Sequence, residues 1–412
     1  MTVSVEIVVA ALLKHKNVLL YGPPGTGKSH LMSEVAKRFE QNASGSAATN
    51  IVIDTSEERA PFSVATVPTV ATRWVTFHQG YSYEDFVLGM RPESSAGGLF
   101  SLIPRPGVLL ELAAEARNGK GLLLIDEINR GNTSRIFGEF ITLMEPEKRL
   151  GEDGAPIATT ITITLPYLAP GERLIVSTSQ GEEVIERAFA MPSELYTLAS
   201  MNSVDKSIAP IDTALRRRFH VINLAPALDD LEYAVGLERG DSGNLVALGA
   251  DASALDVARI AVVALSKVNK AIGLHLGVDF MLGQWYLKNF SQLDAANARN
   301  QLFDVWLYRV LPQLIELFHG RGDTLASILE VDGSRKNGSG LVLVMPSPDE
   351  IENGATQFVI MSDPLPTQEQ LMKYLQKFAG VVEAPAAVPA SPATPLLNEA
   401  NPGVSSSPTG EG

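Results

Sequence analysis

The chain of 412 residues contains no cysteine, so disulfides and thiolate metal sites are excluded. No apolar run reaches the ~20 residues needed to cross a bilayer, and no membrane span is expected. Cations are the minority charge: 33 Lys and Arg face 47 Asp and Glu, a net charge of -14. A general nucleic-acid-coating role is therefore disfavoured, because such binding depends on neutralising phosphates; a local basic groove stays compatible. The N-terminal MTVSVEIVVAALLKHK carries its lysines after the apolar stretch, the reverse of a secretory signal. A cytoplasmic protein is the expectation. Hydrophobic residues make up 45% of the chain, enough to fill two or three domain cores at this length.

Short apolar runs at Val18–Tyr21, Ile51–Ile53, Trp74–Phe77, Leu122–Ile125 and Leu195–Ser200 read as buried strands. Helical patterns such as Lys28–Phe39 and Gly107–Arg117 lie between them. That alternation predicts an α/β fold with a parallel sheet core over residues 1–225. Residues 157–176 alternate apolar and polar side chains around Pro170-Gly171 and read as an inserted β-hairpin. Residues 226–320 read as a helical lid, with Ala254–Ile272 and Leu302–Phe318 at helical spacing. A small mixed extension is expected over 321–380, with strand-like LVLVM and QFVIM and a short helix near 367–378. Residues 381–412 are rich in Pro, Ala and Ser, lack aromatics, and are expected to be a disordered tail.

GPPGTGKS at 22–29 fits the phosphate-loop pattern G-x-x-x-x-G-K-[ST], between a predicted strand and a predicted helix. Gly22, Gly25 and Gly27 let the backbone turn tightly, so that its N–H groups face a phosphate chain. Gly22, Pro23, Pro24, Gly25, Thr26, Gly27, Lys28, Ser29 and His30 are the candidate nucleotide-binding residues. Lys28 would reach the β- and γ-phosphates, and Ser29 would ligate Mg²⁺. LLLIDEINR at 122–130 ends a second strand in two carboxylates: Asp126 suits Mg²⁺, and Glu127 suits polarising the attacking water. YTLASMN at 196–202 ends a third strand in Asn202, which would sit beside them at the carboxyl edge of the sheet. Arg216, Arg217 and Arg218 follow a short helical segment at Ile211–Leu215. One arginine there serves a helix end readily, but three are better explained by a triphosphate on a neighbouring subunit.

Together these segments resemble the McrB-like branch of AAA+ ATPases, NTPase subunits of modification-dependent restriction systems related to the MoxR branch. The resemblance runs over roughly residues 14–320. It is carried by FHQGYSYEDFVLGMRP (77–92), LLLIDEINRGNTSRIFGEFITLMEPEKR (122–149), MNSVDKSIAPIDTALRRRF (201–219), VDFMLGQWYL (278–287) and VWLYRVLPQLIELF (305–318). It implies a homo-hexameric ring with nucleotide at subunit interfaces, and an McrC-like nuclease or another stimulating partner, with DNA engaged through that partner. It adds Asp205 to Glu127, Asn202, Arg217 and Arg218 as catalytic candidates. The signature usually reads MNTADRS, so Lys206 here replaces an arginine and loses its bidentate fork. Met281 and Gln284 stand where the branch usually carries Arg and His, so a lid-borne cation is not carried over. The branch uses GTP, whereas ATP is the rule across AAA+ proteins; ATP is the first expectation and GTP the alternative. A MoxR-like remodelling chaperone, acting on a protein or metal-cofactor client, is the competing function. Within 77–92, Ser82 to Asp85 read as a capping box and the aromatics as core.

Overall fold

The computed structural model describes residues 3–44, 70–94, 100–204, 212–249, 251–288, 290–331, 342–344, 359–361 and 365–381. The expected strand at 51–53, Asp205, Lys206 and the tail beyond 381 lie outside them.

Helix α1 (Val5–His15), capped by the Ser4 hydroxyl, leads into strand β1 (Asn17–Gly22). Helix α2 (Lys28–Ser44), strand β2 (Val70–Thr76) and the one-turn helix α3 (Tyr83–Phe86) follow. A hairpin of β3 (Leu88–Ser94) and β4 (Phe100–Pro106) comes next, which the sequence pattern does not announce. Then come α4 (Val108–Asn118), β5 (Lys120–Asp126) and the short helices α5 (Thr133–Phe137) and α6 (Phe140–Leu143). After β6 (Ile163–Thr164), β7 (Arg173–Thr178), β8 (Gly181–Glu186) and β9 (Ala188–Phe189), the chain returns to the core. It does so as β10 (Leu195–Asn202), α7 (Thr213–Arg216) and β11 (His220–Asn223).

The core is a five-stranded, all-parallel sheet in the order β11-β1-β10-β5-β2. Its central strands are covered on both faces, which is why they read as unbroken apolar runs rather than alternating ones. One face packs Val18, Leu20, Leu122 and Leu124 against α1 and α2. The other packs Leu19, Leu123 and Ile125 against α4, α5 and α6. Phe77, Phe86 and Phe137 form an aromatic cluster there, with centroids 4.9 to 6.1 Å apart, so the aromatics at the start of 77–92 are core. The capping box is not formed as expected: the Ser82 hydroxyl bonds Asp85 (2.8 Å) and no helix amide.

The inserted hairpin lies one strand further on than the sequence pattern suggests. Strand β7 pairs with β8 around Ser179-Gln180, whereas the alternating 157–168 stretch contributes only β6, which pairs with β9. Both segments alternate, and alternation does not specify a partner.

The helical region comprises α8 (Leu228–Val235), α9 (Ala254–His275), α10 (Ala295–Val305), α11 (Leu311–Leu317), α12 (Gly322–Ile328) and α13 (Gln368–Ala379). The capping box of Ser253 and Asp256 starts α9, and ten of its residues are buried as the central helix of this region. A π-helical turn at Trp306–Val310 joins α10 to α11. It precedes Pro312, which has no N–H for the carbonyl one turn back. The apolar cluster around α9 also takes in Leu325 and Leu329, and Leu371, Leu375 and Phe378 of α13, residues that the sequence assigned to a separate extension. Strands β12 (Val342–Val344) and β13 (Val359–Met361), within the strand-like LVLVM and QFVIM segments, pair antiparallel. Among the described residues no helix is long and apolar enough to cross a membrane.

Candidate active site

The carboxyl ends of β1, β10, β5 and β2 lie side by side, with Gly22 opposite Asn202 and Thr76 opposite Asp126. Ligands of open α/β sheets bind at this edge. The loop after β1 turns on left-handed glycines, Gly25 (φ 76°) and Gly27 (φ 82°), a conformation other residues rarely adopt. Gly22 has no room for a side chain either, since a Cβ would lie 2.7 Å from the Leu224 carbonyl oxygen. Lys28, only 7% exposed, donates to the carbonyls of Gly22 and Pro23 at 2.9 Å each. Thr26 closes the loop by donating to Pro23 (3.0 Å). His30 meets Trp285 of the helical region edge-on, at 4.9 Å between centroids.

Ser29 Oγ donates to the Asp126 carboxylate at 3.1 and 3.3 Å, across 97 residues of sequence. Glu127 leaves β5 in a left-handed conformation (φ 54°, ψ 47°), uncommon for a residue with a side chain. In a continued strand Asp126 and Glu127 would face opposite ways. The left-handed turn instead brings both carboxylates to one face of β10. Ser200 Oγ donates to Asp126, the Asn202 amide donates to Glu127 Oε1, and the Glu127 N–H donates to Ser200 Oγ (3.1 Å). Arg130 approaches the other Glu127 oxygen at 3.5 Å. Ser200 and Arg130 are the site residues that the motif reading missed. Ser200 was within reach, because it stands two residues before Asn202 and so shares its face.

Two hard oxygen donors at hydrogen-bond distance from each other, Ser29 and Asp126, fit Mg²⁺, which takes most of its ligands from water and phosphate. Among the described residues no group of three or more His, Asp and Glu could hold a metal as a protein cage.

The three arginines part company. Arg218 is enclosed, its guanidinium pairing with Glu145 (2.6 Å) and donating to the Ala214 carbonyl. Arg216 is exposed and lies over the Tyr21 ring, 5.6 Å from its centroid. Arg217 is exposed; its backbone N–H donates to Thr213 (3.2 Å), but its guanidinium joins no hydrogen bond or ion pair among the described residues. His220, just after them, pairs with Val18, four residues before Gly22. The start of β11 thus lies toward the amino end of β1, while the Arg216 guanidinium reaches back beside Tyr21, the residue before Gly22.

This fold and this edge of the sheet define a P-loop nucleotide-binding protein. The chain belongs to the ATPase family associated with various cellular activities (AAA), whose model matches residues 18–226, and it is of the McrB-like kind, since the McrB alpha-helical lid domain matches residues 261–326. It is 32% identical over 233 residues to the type IV methyl-directed restriction enzyme EcoKMcrB subunit of Escherichia coli (strain K12), covering 56% of this chain and 40% of that protein. It is 29% identical over 229 residues to the type II restriction enzyme BsuMI component YdiS of Bacillus subtilis (strain 168), covering 50% of this chain and 55% of that protein. The chain thus matches about half the length of these curated relatives.

Proposed function

We propose that the chain hydrolyses a nucleoside triphosphate, ATP or GTP with ATP the first expectation, as the McrB-like motor subunit of a restriction system. The observation that carries this is the pairing of Glu127 with Asn202 directly beside the pairing of Ser29 with Asp126. The residues following Gly22 cradle the phosphate chain, and Lys28 moves from its two carbonyls to the β- and γ-phosphates. Ser29 and Asp126 would hold Mg²⁺, which would supply positive charge against the phosphates. Glu127 takes the proton of the attacking water, and Asn202 fixes the carboxylate that does so. Asp205 joins them by the family resemblance. Arg217 reaches the γ-phosphate of an adjacent subunit in a homo-hexameric ring, a reading supported by its exposed side chain, which no hydrogen bond or ion pair among the described residues holds back. Arg218, held by Glu145, orders the segment that presents Arg217.

An McrC-like nuclease is the proposed partner, with DNA engaged through it in defence against phage. The match to the McrB lid and the restriction enzymes among the relatives support this over remodelling of a protein or metal-cofactor client. The test uses nucleotide titration and turnover. Lys28→Ala is expected to lose binding, and Glu127→Gln to bind normally while turnover falls at least ~10²-fold, the usual worth of one positioned base. Wild-type turnover by Glu127→Gln would remove the assignment.

A further inference from the structure

The segment 278–288 of the helical region crosses the outside of the phosphate loop and bonds three successive carbonyls. The Gly283 N–H donates to Pro24 (3.1 Å), the Trp285 N–H to Gly25 (2.9 Å), and the Gln284 side-chain amide to Thr26 (2.8 Å). The approach depends on glycine: a Cβ on Gly283 would overlap the Gly25 carbonyl, and one on Gly27 would overlap the Trp285 indole nitrogen. The segment is itself anchored to α9. Buried Asn269 donates to the Leu282 carbonyl (2.8 Å) and accepts from the Leu282 N–H (2.7 Å).

A trans peptide places its C=O and the following N–H on opposite sides. Drawing the carbonyls of Pro24, Gly25 and Thr26 towards the lid therefore turns the N–H groups of Gly25, Thr26 and Gly27 into the loop. Among the described residues none of those three N–H groups has an acceptor. Successive inward N–H groups of this kind make an anion-binding concavity. A loop with two glycines has many other conformations open to it, so the inward arrangement needs something to hold it.

We propose that Gly283, Gln284 and Trp285 are positioning residues for phosphate binding: the lid grips the back of the phosphate loop and so fixes the amides at its front. The proposal rests on the reading of residues 22–29 as a nucleotide site. It gives Gln284 a task that needs no positive charge, because its partner is a carbonyl rather than a phosphate. It also makes phosphate affinity depend on lid position, so a partner that lifts the lid would loosen nucleotide without touching the cradle.

Magnesium tripolyphosphate is the discriminating ligand, since it carries the phosphate chain without base or ribose. Calorimetric titration of the full chain would compare wild type with Gln284→Met, Gly283→Ala and Lys28→Ala. Gln284→Met keeps the volume of the side chain and removes its donor. It should bind tripolyphosphate about 3- to 10-fold more weakly, the worth of one hydrogen bond, with an unchanged melting temperature. Gly283→Ala, which forces the segment off the loop, should lose at least ~10-fold; if it does not fold, Gln284→Met carries the test. Wild-type tripolyphosphate affinity in the lid variants, with binding abolished by Lys28→Ala, overturns the proposal and leaves the nucleotide site standing. The same holds if the lid variants weaken nucleotide but not tripolyphosphate, which would mean that the lid acts on the base. Binding that does not depend on Lys28 overturns both readings.

Discussion

Replacing Asn202 by Ala removes one donor from the Glu127 carboxylate and little else. The backbone of residue 202 stays paired with Gly22 across β1 and β10, so the phosphate loop keeps its support. A hydrogen bond to a charged group is worth about 1.5–3 kcal/mol. If Glu127 must hold its orientation in the transition state, that loss converts to a ~10- to 150-fold slower turnover at 1.36 kcal/mol per factor of ten. Nucleotide affinity should stay within about 2-fold of wild type, because the Asn202 side chain bonds Glu127 and only its backbone, which the substitution keeps, meets the loop at Gly22. Asn202→Asp is the sharper test. It sets a second carboxylate against Glu127, and like charges favour the protonated form. The acid limb of the pH–rate profile should then move to higher pH, and turnover should fall below that of the Ala variant. Single-turnover hydrolysis, with binding measured separately, separates the two effects. Turnover by Asn202→Ala within about 3-fold of wild type, at equal affinity, would refute the role given to this bond.

Arg217→Ala and Lys28→Ala should each be inactive alone and recover hydrolysis when mixed, because some interfaces then pair an intact phosphate loop with an intact arginine; a finger supplies roughly 10³-fold or more. Mixed rings that recover nothing, with Arg217→Ala turning over normally by itself, would remove the finger. Arg149 is fully enclosed and donates to the carbonyls of Leu143, Met144 and Leu195 and to Asn17 Oδ1; burial pushes its guanidinium down to about 10, still charged at neutral pH. Arg149→Met should strand several of these acceptors and cost about 3–5 kcal/mol, read as a lower urea midpoint; a midpoint near wild type would contradict this. Burial pushes the Glu232 carboxyl up, but the hydroxyl of Ser242 and the N–H groups of Gly240 and Ser242 outweigh it and hold it below its ordinary value. A depressed carboxyl stabilises the fold above its unfolded pKa and loses that contribution as the pH falls through its folded one, so stability should drop between about pH 5 and 3. Glu232→Gln should flatten that part of the pH dependence, and an unchanged slope would show that Glu232 does not contribute.

The sequence by itself determined what is chemically local. Residues 22–29 carry their glycines, lysine and serine in one contiguous turn. The runs ending at Asp126 and Asn202 announce strands buried on both faces. The same logic placed α9 from its apolar spacing. Tertiary structure decided everything that turns on a partner far along the chain. Ser29 meets Asp126 across 97 residues and Gln284 meets Thr26 across 258, and no local period encodes either contact. The arginines show the division most plainly. Their composition asks for an anion, but only packing decides that Arg218 is taken by Glu145 while Arg217 stays exposed. The displaced hairpin has the same cause, since alternation gives a strand its two faces but not its neighbour. Propensity and charge act over a turn or a strand, whereas a partner is fixed only when the cores on either side of the sheet close around it.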